Sequence, residues 1–118
     1  MRRGTKKHFE KHKRAARELA ARRLAHLNRA YRFSYRRIFI RNQRSRWGSC
    51  SERRNLSFNY KIILLPPALA DYILVHELCH LEEFNHSPRF WALVERAIPD
   101  HRAHRLALRT LERGRAKS

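Results

Sequence analysis

Apolar residues recur along this chain in more than one rhythm. Between residues 8 and 31, Ala16, Leu19, Ala20, Leu24, Leu27 and Tyr31 return at three- and four-residue steps with Lys and Arg between them. That spacing predicts a basic amphipathic helix. Ser34–Gln43 holds the β-favouring run Ile38-Phe39-Ile40 between arginines, and Leu56–Ile63 alternates in part through Leu56, Phe58, Tyr60 and Ile62. Both read as strands. With the turn-rich Gly48–Asn55 between them, they predict an antiparallel hairpin closed by a long loop.

Pro66-Pro67 marks a helix start, because proline is tolerated at the first helical position. The helix predicted from Pro67 to about Phe84 is apolar on every side over Ala68–Leu81, save for Asp71, His76, Glu77 and His80. Asp71 falls near its beginning, where the helix dipole favours a carboxylate. Asn85 in a left-handed cap and Ser87-Pro88 as N-cap and first helical residue predict a sharp corner. A helix then runs from Pro88 to about Ile98 and buries Phe90, Trp91, Val94 and Ile98. Pro99 ends it. A last basic helix, roughly Arg102–Arg113, packs Leu106 and Leu111 and stops at Gly114.

At 118 residues the chain makes one domain. We divide it into the basic helix 8–31, a core over 34–100 and a basic C-terminal segment 101–118. A hydrophobic content of 42% with 10% aromatics is that of a folded protein. No run of about 18 apolar residues is present, so a membrane-spanning helix is not expected. The basic start is followed by more charge instead of an apolar segment, so export is not expected either. Cys50 and Cys79 lack the spacing of a disulfide framework or a metal knuckle, and both read as reduced thiols of a cytoplasmic protein.

The net charge of +18 is unevenly spread. Residues 1–54 carry 19 Lys or Arg against three acids, a net +16. Residues 55–100 come to −3, and residues 101–118 to +5. Basic flanks around a mildly acidic centre attract polyanions through counterion release, which makes nucleic acid a candidate partner.

The chemistry sits in that acidic centre. His76-Glu77-Leu78-Cys79-His80 has the pattern HExxH. Residues four apart lie one turn apart on the same helix face, so two imidazoles can grip one ion. Glu77 leans to the same side and is placed to hold a metal-bound water. Burying two imidazoles and a carboxylate in an apolar helix costs several kcal/mol unless something pairs them. A Zn²⁺ ion meets that need.

A catalytic zinc takes three protein ligands and leaves a fourth position for water. His86 follows His80 by six residues, on the predicted corner, and is the expected third ligand. The rival is Glu95 on the next helix. The histidine spacing is that of HExxHxxGxxH. Glu83 stands where that pattern has glycine, and the only methionine is Met1, so a methionine turn beneath the site is excluded.

Arg46-Trp47-Gly48-Ser49-Cys50-Ser51, Leu56-Ser57-Phe58-Asn59, Leu64-Leu65-Pro66-Pro67, the HExxH run and Asn85-His86-Ser87-Pro88-Arg89-Phe90-Trp91 together resemble the YgjP-like metallopeptidase family. The segment from His86 to Phe90 is similar to the third-ligand element of SprT-like and WLM-type proteases, which act on DNA–protein crosslinks. The resemblance spans roughly residues 34–100. It implies an α+β, minimal zincin-like fold, with a small antiparallel sheet packed on the HExxH helix and flanking helices around them. It also implies that His76, His80 and His86 bind zinc and that Glu77 is catalytic.

The reading is therefore a zinc-dependent peptidase acting on a protein or peptide. Zinc on three neutral imidazoles keeps its double charge, lowers the pKa of its water toward about 7, and Glu77 takes the proton. The alternative is a basic nucleic-acid-binding module with a structural or vestigial zinc site, its fourth position closed by Cys50. Other polar residues rank lower. His101 and His104 read as a solvated helix start. Glu82, Glu83, Glu95 and Asp100 read as surface charges, one of which could orient a ligand imidazole. Arg44, Arg46 and Arg89 are candidates for substrate or phosphate. Trp47 and Trp91 read as core aromatics, and Cys79 as packing away from the ligand face.

Overall fold

The computed structural model describes residues 2–117, with side chains as far as residue 113. The first helix, α1, spans Lys6–Leu27 and starts at Thr5, whose hydroxyl accepts from the His8 amide. It begins two residues earlier than its apolar rhythm suggests, and a 3₁₀ turn, Asn28–Ala30, finishes it. Ala16, Ala20 and Leu24 are fully buried. The small side chains of the two alanines let the helix lie close to the elements beneath it, and Leu24 fills the space beside them. Phe9 and Leu19 extend the same stripe.

Three short strands form the sheet: β1 Ile38–Arg41, β2 Gly48–Cys50 and β3 Leu56–Asn59, in the order β1-β3-β2. β1 runs parallel to β3, pairing Ile38 with Leu56 and Arg41 with Asn59. β2 runs antiparallel to β3, pairing Gly48 with Phe58 and Cys50 with Leu56. The sheet is thus mixed, and the antiparallel hairpin between Ser34–Gln43 and Leu56–Ile63 does not form. The reason lies in the connection. A parallel pair needs a crossover of about a dozen residues or more, and the stretch from Asn42 to Asn55 is long enough. Gly48-Ser49-Cys50 within it makes a strand of its own, despite a composition that reads as turn. The tight hairpin is the β2–β3 one, closed at Ser51–Arg54 with Arg54 at a φ of 66°.

All four residues of β3 are buried, as a central strand requires. Asn59 at its end is wholly inaccessible and organises the crossover. Its side-chain amide donates to the carbonyls of Gln43 (3.0 Å) and Arg46 (3.1 Å), and its backbone amide to that of Trp47 (2.8 Å). Bonds on that many sides fix the path of the chain into Gly48.

After a 3₁₀ turn, Tyr60–Leu64, the helix α2 spans Pro67–Cys79. It is apolar all round because it is covered all round, with Leu69, Ala70, Tyr72, Ile73, Leu74, Val75, Leu78 and Cys79 buried. It stops some five residues before the predicted end. Asp71 lies beyond its first turn and serves a different purpose from the one expected. The Arg23 guanidinium of α1 grips it in two bonds, Nε to Oδ1 at 3.0 Å and a terminal nitrogen to Oδ2 at 2.7 Å.

The helix α3 spans Pro88–Ala97, with Ser87 accepting from the Phe90 amide as N-cap. Phe90, Val94 and Ile98 are buried, while Trp91 is only half-buried. Asn85 keeps a negative φ, so the corner turns without a left-handed residue. The last helix, α4, spans His101–Lys117 and runs on through Gly114. Its inward residues are His101 and Leu108; Leu106 and Leu111, expected to pack, are both exposed, because the face that α4 turns to α2 carries the other two. Among the described residues no helix is long and apolar enough to cross a membrane.

Candidate metal centre

His76 and Glu77 occupy the last turn of α2, and His80 is its C-cap. The chain then bends through residues 81–86 and brings His86 back to the helix end. The three imidazole centroids lie 4.8, 5.0 and 4.9 Å apart, a nearly equilateral triangle. One ring nitrogen from each can be chosen so that all three lie within 4.8 Å of one another. Glu95, the rival third ligand, is exposed and does not belong to the cluster.

The partners of the other ring nitrogens settle the tautomers. His80 Nδ1 lies 2.9 Å from the Glu83 carbonyl, and His76 Nδ1 lies 3.2 Å from Glu77 Oε2. A carbonyl and a carboxylate only accept, so each Nδ1 carries the proton and each Nε2 keeps its lone pair. The residue that orients His80 is thus Glu83, acting through its backbone and not its carboxylate. Glu82 instead faces Arg54 at 3.7 Å.

His80 Nε2 and His86 Nε2 stand 3.1 Å apart. Two lone pairs that close repel unless a proton or a cation sits between them. Two ligands at about 2.0–2.1 Å on a tetrahedral zinc would be separated by roughly 3.3 Å. The donor set therefore fits zinc in element, number and spacing. Partial burial, followed by the neighbouring His76, His80 and Arg105, lowers the His86 pKa and favours the neutral ring that a metal needs.

Phe90 is the floor of the site. Fully buried, its ring centroid lies 5.0 Å from His76, 4.4 Å from His80 and 5.0 Å from His86. Its place on the helix that Ser87 caps, directly after His86, was legible in the sequence. Its contact with all three rings was not. Trp91 borders the triangle at 6.0 Å from His76 and 5.7 Å from His86.

Glu77 is only 7% exposed. Gly48 of β2 lies against it, and a Cβ at that glycine would fall 2.9 Å from Glu77 Cγ. Arg46, Gly48, Cys50, His76, Glu77, His80, Phe84 and His86 enclose a cleft of ≈ 340 Å³. Cys50 thus faces the cleft but is not one of the converging donors. Burial first, and then the charge of Glu77, pushes its thiol up to about 11. Arg46 stands at the cleft, whereas Arg44 and Arg89 do not line it.

Two further hollows adjoin. One of ≈ 260 Å³ runs from His76 and Glu77 past Tyr72 to Arg105 and Arg109. The other, ≈ 780 Å³, opens at His86 between α3 and α4. His101 is buried and stacks on Trp91 at 5.2 Å, contrary to its reading as a solvated residue; His104 pairs with Asp100 at 3.2 Å. Trp47 is a core aromatic whose indole N–H donates to Glu112 at 2.6 Å. Cys79 is buried beside Tyr31 with its thiol free, as its position on α2 implied.

A family model for the YgjP-like metallopeptidase domain matches residues 3–111. No curated protein matches the chain. Among solved structures, it is similar to the metallopeptidase zymogen abylysin of Pyrococcus abyssi, with a TM-score of 0.68 and 24% identity over 80% of this chain and 93% of that one. It is also similar to the metallopeptidase zymogen jannalysin of Methanocaldococcus jannaschii, with a TM-score of 0.58 and 19% identity over 83% and 88%. At such identities the likeness speaks for the fold: α+β, with four helices around a three-stranded sheet.

Proposed function

Since the chain belongs to the YgjP-like metallopeptidase-domain family and is a metal-dependent hydrolase, we propose that it is a zinc peptidase with ligands His76, His80 and His86 and with Glu77 as general base. The observation that carries this reading is the near-equilateral triangle of imidazoles, two of them with Nδ1 already engaged, beside a buried carboxylate.

Bound zinc supplies a Lewis acid that polarises a carbonyl and acidifies water at neutral pH. Glu77 holds His76 through Oε2, and Oε1 makes no hydrogen bond among the described residues, so it is free to take a proton from the attacking water. The same carboxyl then delivers that proton to the leaving amine. Gly48, by lacking a side chain, lets this carboxylate sit against the strand that borders the cleft. Phe90 keeps the three rings in place from below.

The substrate is a protein or peptide. β1 has its outer side covered by α1, where Arg17 donates to the Ile38 carbonyl at 2.9 Å. β2 is the other edge of the sheet and lines the cleft, so an extended peptide adds to β2 by strand pairing. We read residues 1–118 as one catalytic domain in which α1 and α4 flank the core. Two free thiols support a reducing, cytoplasmic setting. The basic flanks support association with nucleic acid, weakening as salt rises. The alternative, a structural or vestigial zinc, needs a closed fourth position, and Cys50 does not converge on the three rings.

Cleavage of casein or an unstructured peptide, with and without chelator, zinc and DNA, tests the proposal. Chelator should abolish turnover and zinc should restore it. Full turnover by metal-stripped protein would sink the zinc-peptidase reading.

A further inference from the structure

The wall of the site opposite β2 is α4, and one residue of it, Arg105, reaches both hollows flanking the three imidazoles. It lines the one that contains His76 and Glu77 and the one that opens at His86. Its guanidinium carbon lies 5.3 Å from the ring centroid of Trp91. His101, one turn earlier on α4, stacks on the same indole at an interplanar angle of 16°. Trp91 in turn abuts His76 and His86. The guanidinium is thus held beside the ligand triangle by stacking.

No carboxylate among the described residues neutralises it. Asp100 pairs with His104, Glu112 accepts from Trp47, and Glu77 is engaged with His76. Glu95 lines the same groove without an ion pair to Arg105. A permanent cation next to a dication bound by neutral imidazoles opposes metal binding. Such a placement is unfavourable until negative charge arrives between the two. Arg46 and Arg109 line the same hollow and are exposed, as Arg105 is, but of the three only Arg105 lies over an aromatic ring.

We propose that Arg105 is a catalytic residue of this peptidase: its guanidinium donates to the scissile carbonyl oxygen and stabilises the negative charge that develops there during attack. The inference rests on the peptidase reading above and adds to it the group that faces the oxyanion. An extended substrate paired with β2 has Glu77 and Gly48 on one side and Arg105 on the other. Trp91 and His101 act as positioning residues, since they hold the guanidinium and do not touch the reacting atoms. Fixed donors aimed at developing charge are commonly worth about 10²–10³ in kcat.

The test compares zinc-loaded wild type with Arg105→Gln and Arg105→Lys. It reads kcat and KM on a quenched peptide, zinc affinity by chelator competition, thermal midpoint, and calorimetric binding of a phosphinic peptide, whose tetrahedral anion imitates the attacked carbonyl. Arg105→Gln should lower kcat by about 10²–10³ and weaken phosphinate binding in parallel. Zinc affinity should be unchanged or higher and the midpoint unmoved, with Arg105→Lys recovering part of the loss. A loss confined to KM, and only for peptides with acidic side chains, would overturn the proposal in favour of an acidic subsite. Unchanged kcat and phosphinate affinity would overturn it outright. If wild type shows no chelator-sensitive turnover, the peptidase reading fails separately. The phosphinate comparison then still decides on Arg105: weaker binding by Arg105→Gln supports its anion-facing role, and equal binding rejects it.

Discussion

Gly48 and Glu77 stand in a relationship that leaves no space for a methyl group: a Cβ on Gly48 would lie 2.9 Å from Glu77 Cγ and 3.1 Å from the Ser57 carbonyl. The backbone contact cannot yield without disturbing the β2–β3 pairing, so the carboxylate would be displaced. Gly48→Ala should therefore lower kcat/KM by roughly 10²-fold, since about 1 Å of misplacement has that effect in a positioned site. Zinc content should hardly change. Steady-state kinetics with metal analysis on the purified variant checks this.

Glu77→Gln keeps the shape of the side chain and loses its basicity. Turnover should fall by about 10²–10⁴ while zinc remains bound at one ion per chain. Metal-free variant protein serves as the control. Wild-type turnover in Glu77→Gln would remove Glu77 from the role of base.

Metal should also support the fold, because the ligands come from the end of one helix and the bend that follows. Zinc at about 100 times its dissociation constant adds about 2.7 kcal/mol. In a domain of this size that raises Tm by on the order of 10 °C. His86→Ala should lose most of the zinc-dependent shift. A differential scanning series with and without chelator measures it.

The Arg23–Asp71 pair joins α1 to α2, with side chains 29% and 20% exposed. Its paired bonds and partial burial place it above an ordinary surface ion pair. Asp71→Ala should destabilise the protein by about 1 kcal/mol, read from urea midpoints, without altering zinc affinity.

Burial pushes the Cys79 thiol up to about 12, and Tyr31 also rises above its ordinary value. Unfolded thiols ionise near about 8.5. The folded protein therefore keeps its proton where the unfolded chain releases it, so stability is full below about 8.5 and declines as pH climbs toward 12. Urea midpoints at pH 7.5 and pH 10 should show this fall, and Cys79→Ala should flatten it. Native protein should also react with iodoacetamide far more slowly at Cys79 than unfolded protein does.

Much of the site was legible in the sequence because its geometry is local. The spacing of His76 and His80 places both rings on one helix face whatever surrounds them. Ser87-Pro88 starts a helix by satisfying amides within its own first turn, and that sets the corner on which His86 lies. The continuous apolar run of α2 announced a buried helix before its partners were known. The α+β fold class came from the resemblance of several motifs to the YgjP-like family.

Strand order was another matter. Leu56–Asn59 can satisfy its hydrogen bonds with neighbours in either orientation, and residues 42–55 are long enough for a crossover or a loop. Packing against α1 and α2, together with the bonds of buried Asn59, decides between them. Those same long-range contacts place Gly48 under Glu77, Phe90 beneath three rings and Arg105 across the cleft on Trp91. The sequence by itself determined that His76 and His80 share one helix face, because that depends on the repeat of one helix, whereas the fold decided that His86 and not Glu95 comes to join them. Only the tertiary structure decided what surrounds them, because those neighbours are brought together by burial and not by spacing along the chain.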